Sequence, residues 1–118
     1  MAGARILCVD TDPTVLATLA LVVRSAGHDV LTSATATEAL KVLNTTAIDL
    51  LLSGCCLQDA KVEDLIQQAK AAQPNLRVVL YLAHQSESSD AADAVIWKPA
   101  PPEELLDTIR RLLEVTDP

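Results

Sequence analysis

The stretch from Ile48 to Leu57, IDLLLSGCCL, decides how the rest of the chain is interpreted. Its apolar residues form a compact run that stops abruptly at Gly54. A short apolar run bounded by turn residues is typical of a β-strand buried on both faces of a sheet. In open parallel sheets the functional crevice lies beyond the carboxyl ends of the strands. Gly54 is therefore predicted to stand at the functional edge of the sheet, where it contributes no side chain.

Apolar runs that suit strands alternate with stretches of helical periodicity along the whole chain. Helix starts are indicated by Asp12 before Pro13 and by the capping-box spacing of Thr35 and Glu38. Strands are predicted at residues 5–9, 29–34, 48–53, 77–82 and 95–97. This alternation predicts an α/β fold: a flavodoxin-like, doubly wound (βα)5 sandwich with a parallel sheet of strand order 2-1-3-4-5.

The connection between the fourth and fifth strands is short. Only Ala83 to Ala92 lie between them, a polar segment that has room for about two helical turns. We therefore predict a shortened or missing fourth helix. The length of 118 residues and the 50% content of hydrophobic residues fit a single domain, residues 1–118, with its core at about residues 5–115.

Charge and cysteine content exclude several classes of function. The formal net charge of −7 argues against nucleic-acid binding and against an anionic membrane surface. The apolar stretch from Val15 to Val23 is too short to span a bilayer, and no leader pattern precedes it. Three cysteines without metal-type spacing suggest reduced thiols, and so a cytoplasmic protein.

Several motifs, in their order and spacing, resemble the receiver domain of two-component response regulators, the CheY-like superfamily. The resemblance covers nearly everything from Arg5 to Val115. The segments that carry it are ILCVDTDP at residues 6–13, AGHDV at 26–30, TEAL at 37–40, IDLLL at 48–52 and KP at 98–99.

The resemblance implies a phosphorylation site whose residues this chain largely lacks. In the family a carboxylate after strand three accepts a phosphoryl group, and here that position is Gly54. The two acids that hold Mg²⁺ after strand one correspond to Asp10 and Thr11. The hydroxyl residue of strand four and the lysine after strand five correspond to Leu82 and Lys98.

The chemistry of these positions predicts a degenerate receiver. Gly54 offers no nucleophile, and strand alternation turns the neighbouring Ser53 away. Mg²⁺ requires several hard oxygen ligands in near-octahedral geometry, and Asp10 alone is insufficient. Asp12 could add a weak metal contact, although it is better placed as a helix cap. We therefore predict no catalytic residue, no cofactor and no enzymatic activity. A phosphorylation-independent signalling module, or pseudo-receiver, is favoured.

Such a module is predicted to act through a protein partner or by self-association. Family receivers meet partners through the fourth helix, strand five and the fifth helix, so Val95, Trp97 and Leu105 are the interface candidates. Val95 also stands where the family has, in strand five, an aromatic residue that responds to phosphorylation. Trp97 leaves two interpretations open, a packed core residue or an exposed anchor. Lys98 is predicted to form a salt bridge with Asp10.

An alternative function is a small-ligand or thiol/metal sensor in the remodelled crevice. Its residues would be Asp10, Cys55, Cys56 and Lys98. Two adjacent cysteines do not complete a tetrahedral zinc site, and free cysteine commonly serves as a small apolar side chain. Cys8 is predicted to be core, and the two histidines, His28 and His84, to be solvated.

Overall fold

The computed structural model describes residues 3–54, 57–82, 91–98 and 100–115. Strands and helices alternate along them. The strands are β1 (Arg5–Val9), β2 (Asp29–Ser33), β3 (Leu50–Ser53), β4 (Arg77–Leu82) and β5 (Ala94–Trp97). The helices are α1 (Pro13–Ser25), α2 (Ala36–Thr45), α3 (Val62–Ala72) and α4 (Pro102–Val115).

Local sequence explains where the first two helices begin and where α1 ends. The side chain of Asp12 accepts hydrogen bonds from the backbone N–H groups of Thr14 and Val15, and Pro13 opens the helix. Gly27, just beyond α1, has a φ of 91°, which glycine adopts without a steric penalty. Thr35 caps α2 by accepting from the N–H of Glu38. The predicted caps and stop are confirmed.

The five strands form one parallel sheet of order β2-β1-β3-β4-β5. The predicted flavodoxin-like topology is confirmed. The described ranges hold four helices, which fits the predicted shortening of the fourth helix. The segment on which that prediction rests, residues 83–90, lies outside the described residues.

Two apolar clusters pack against the sheet, one on each face. Leu51, Val78 and Leu80 belong to the cluster beneath α2 and α3. The other, beneath α1 and α4, includes Cys8 and Ile109. Burial raises the pKa of the Cys8 thiol to about 12, so this thiol stays protonated at neutral pH. Cys8 is a core residue, as predicted.

None of the four helices in the described part of the chain is long and apolar enough to cross a membrane.

Candidate functional site

Parallel pairing brings the predicted site positions to one edge of the sheet. Asp10 follows β1 and Gly54 follows β3, and the N–H of Gly54 donates to the carbonyl of Val9 at 2.9 Å. At the next strands, the N–H of Lys98 donates to the carbonyl of Leu82 at 2.7 Å. The four positions therefore meet at the carboxyl ends of the strands, where α/β folds place their sites.

Asp10 fills the space that a side chain at position 54 would need. Asp10 is 7% exposed, and its Oδ1 accepts a hydrogen bond from the N–H of Asp12 at 2.8 Å. A Cβ atom on Gly54 would overlap Oδ2 of Asp10. The absence of a side chain at Gly54 and the inward position of the Asp10 carboxylate are thus two parts of one arrangement.

The remaining groups do not assemble a magnesium site. Asp12 is engaged as the cap of α1, Thr11 is exposed, and Leu82 presents only hydrocarbon in the core. Within the described residues, no group of three or more His, Cys, Asp or Glu side chains could hold a metal ion. Since Mg²⁺ needs several hard oxygen ligands, the donor set at this edge does not fit it.

Lys98 does not pair with Asp10, so that prediction is wrong. Its Nζ lies 4.9 Å from the centre of the Tyr81 ring, within cation–π distance, and no ion pair to Asp10 exists among the described residues. Alternation along β5 places Lys98 on the same side as Ile96, towards α1 and α4, whereas the Asp10 carboxylate turns towards Gly54. The sequence did not indicate Tyr81 as the partner of Lys98. Its pairing with Ile96 places Tyr81 on the face of the sheet covered by α1 and α4.

The three predicted interface residues do not share one surface. Trp97 is 43% exposed, so the alternative of a packed core residue is wrong. Val95 packs against the cluster beneath α2 and α3. Leu105, predicted to lie beside Trp97 on one interface, is 3% exposed and lies in the cluster on the other face, so that prediction is also wrong. The reason is that α4 covers the face of β5 to which Ile96 points, opposite to Val95 and Trp97.

Asp59 was not anticipated from the sequence. It lies in the loop between Gly54 and α3, and its Oδ1 accepts from the N–H of Ala36 at 2.9 Å. Its Oδ2 accepts from the N–H and the hydroxyl of Thr37, at 2.9 and 2.7 Å. The site loop is thereby joined to the first turn of α2. Carboxylates are favoured at helix N-termini, but Asp59 lies twenty-two positions after Thr37 in the chain. The sequence therefore does not show that the two residues meet.

The hydrogen bonds from Thr37 and Ala36 lower the pKa of Asp59 to about 2. A lowered pKa stabilises the fold above the ordinary carboxyl pKa, and this contribution disappears as the pH falls through the folded value. We expect Asp59→Ala to have a smaller free energy of unfolding than wild type at about pH 5, with the difference shrinking towards about pH 2. Urea unfolding of both proteins at several pH values measures this free-energy difference. A difference that does not change with pH would contradict a stabilising role for the Asp59 carboxylate.

The remaining predictions concern the two histidines and the adjacent cysteines Cys55 and Cys56. His28, predicted to be solvated, is half-buried, and its Nδ1 accepts a hydrogen bond from the N–H of Ala4 at 3.0 Å. Cys55 and Cys56, on which the sensor alternative depends, and His84 lie outside the described residues.

Sequence comparisons identify related proteins. The family model of the response regulator receiver domain matches residues 6–110. Transcriptional regulatory protein GlrR of Escherichia coli K12 is 29% identical over 121 residues, which cover 98% of this chain and 27% of GlrR. Alginate biosynthesis transcriptional regulatory protein AlgB of Pseudomonas aeruginosa is 29% identical over 118 residues, 94% of this chain and 26% of AlgB. The chain thus spans about a quarter of the length of these curated relatives.

Solved structures give the same result. A CheY-like response regulator receiver domain protein from Methanospirillum hungatei superposes with a TM-score of 0.88 at 27% identity, covering 97% of this chain and 96% of that one. NtrX from Brucella abortus superposes with a TM-score of 0.89 at 28% identity, covering 98% of this chain and 28% of NtrX.

Proposed function

Because the chain belongs to the family of response regulator receiver domains, we propose that it is a degenerate receiver of two-component signalling that acts without phosphorylation. The observation that carries this proposal is the pairing of Gly54 with Asp10. A receiver that accepts a phosphoryl group needs a nucleophile at that position, and Gly54 has none. The carboxylate of Asp10 takes up the volume instead, so neither the nucleophile nor its metal has a place.

We further propose that this receiver works through contact with a protein, as receivers in general do. The exposed indole of Trp97 on the edge strand β5 supports a contact there, since large exposed aromatic side chains are common anchors of interfaces. With Leu105 buried on the other face, the proposed surface consists of Trp97 and the adjacent part of Val95. The net charge of −7 supports a protein rather than a nucleic acid or an anionic membrane as the partner.

The sensor alternative receives no comparable support. It needs Lys98 beside Asp10, and Lys98 instead lies on Tyr81. The described part of the chain also contains no cluster able to hold a metal ion.

Phosphorylation is tested directly with acetyl phosphate and Mg²⁺. We expect the intact mass of the wild-type protein to remain unchanged, because position 54 offers no carboxylate to form an acyl phosphate. A receiver with the complete family site, treated in parallel, shows that the reagent is active.

A stoichiometric, acid-labile gain of one phosphoryl group by the wild-type protein would overturn the proposal. Peptide mapping would then identify the acceptor.

A further inference from the structure

A groove runs between α1 and α4 on the face of the sheet opposite to Val95 and Trp97. Its volume is about 280 Å³. Val15, Leu19 and Val22 form the α1 wall, and Tyr81, Pro102 and Leu105 form the floor and the α4 wall. Along α1 the lining extends from Thr14 to Val22, about 12 Å at the helical rise. The groove is therefore an apolar cleft just below the usual size range of ligand pockets, about 300–1,000 Å³, and suits a small ligand.

One charged side chain enters this apolar lining. Among the described residues that line the groove, Lys98 is the only charged one. Its ammonium lies over the Tyr81 ring, and no carboxylate pairs with it in the described part of the chain. The acids nearest in sequence do not line the groove: Asp93 pairs with Lys70 and Arg77, and Glu103 is exposed on the first turn of α4. A half-buried cation that pairs with no carboxylate among the described residues is a binding point for a negative group.

We propose that this groove binds a small amphiphilic carboxylate. The apolar body of the ligand lies between α1 and α4, and its carboxylate pairs with Lys98. A single cation fits a ligand with a single negative charge, and the hydrocarbon walls fit a body without further polar groups. This site lies on the other side of the sheet from Trp97 and does not depend on the proposed function.

Calorimetric titration with octanoate and with 1-octanol, which has the same chain length without the carboxylate, tests the proposal. We expect wild-type protein to bind octanoate at least about tenfold more tightly than octanol. Lys98→Met should lower octanoate affinity about tenfold and leave octanol binding unchanged. Lys61→Met is the matched control, because Lys61 is exposed and remote from the lining, and it should bind both probes like wild type.

A second variant tests the apolar walls. Thr18→Phe places an aromatic ring in the groove from an exposed position of α1, and it should abolish binding of both probes while circular dichroism stays native. Failure of wild-type protein to bind octanoate would overturn the proposal. It would also be overturned if Lys98→Met bound octanoate as tightly as wild type. Loss of self-association in Thr18→Phe, with no octanoate binding by wild type, would instead assign the groove to a second copy of the chain.

Discussion

Gly54→Asp is expected to lower the free energy of unfolding by about 2 kcal/mol and to leave the protein unable to accept a phosphoryl group. The new side chain needs the space that Asp10 Oδ2 now occupies. Asp10 must then move, and its hydrogen bond from the N–H of Asp12 is lost or weakened. Two carboxylates side by side also repel each other. Thr11 and Leu82 still provide no partner for metal or phosphoryl oxygens, so restoring the acid alone does not restore the chemistry.

Two matched variants separate the causes of this loss. Gly54→Ala adds only the first side-chain atom, and Gly54→Asn adds nearly the same volume without charge. We expect the stability order wild type, Ala, Asn, Asp in urea unfolding at neutral pH. The difference between Asn and Asp should shrink as the pH is lowered, because one of the two carboxylates then takes up a proton. A Gly54→Asp protein as stable as wild type, or one phosphorylated by acetyl phosphate, would contradict this account.

Trp97→Ala is expected to weaken self-association of the protein at least tenfold while the fold persists. Removing an aromatic anchor from the centre of an interface commonly costs about 2 kcal/mol or more of binding free energy, and 1.4 kcal/mol corresponds to a factor of ten. The free energy of unfolding of the monomer should change little, because the indole is 43% exposed. Sedimentation equilibrium over a range of concentrations measures the association constant.

Trp97 fluorescence and two control variants define the surface. As the only tryptophan, Trp97 should shift its emission to the blue with increasing protein concentration if it enters an interface. Leu21→Ala and Leu31→Ala remove the other two large apolar side chains that are exposed among the described residues, on α1 and on the opposite edge strand β2. Neither should alter association. A protein that stays monomeric at all concentrations would rule out self-association, and an effect of Leu31→Ala alone would move the interface to the β2 edge.

The fold, and the absence of a side chain at position 54, could be predicted from the sequence alone. Four of the five strands, all except β2, are short and mainly apolar runs. The caps at Asp12 and Thr35 and the stop at Gly27 depend on residues within one helical turn. Such signals are local, and so the element order and the parallel sheet could be predicted from them. Gly54 could be placed at the edge of the sheet because the apolar run of the third strand ends there.

The arrangement of the side chains at that edge depends on packing between distant parts of the chain. Asp10 turns towards Gly54, Lys98 lies on Tyr81, and Asp59 joins the site loop to α2. Leu105 and Trp97 lie on opposite faces of the sheet. Each of these outcomes depends on which face a side chain leaves and on which distant residue it meets there. Spacing along the chain placed Asp10 and Lys98 at neighbouring strand ends, but the space beside a glycine and the ring of Tyr81 are features of the packed molecule.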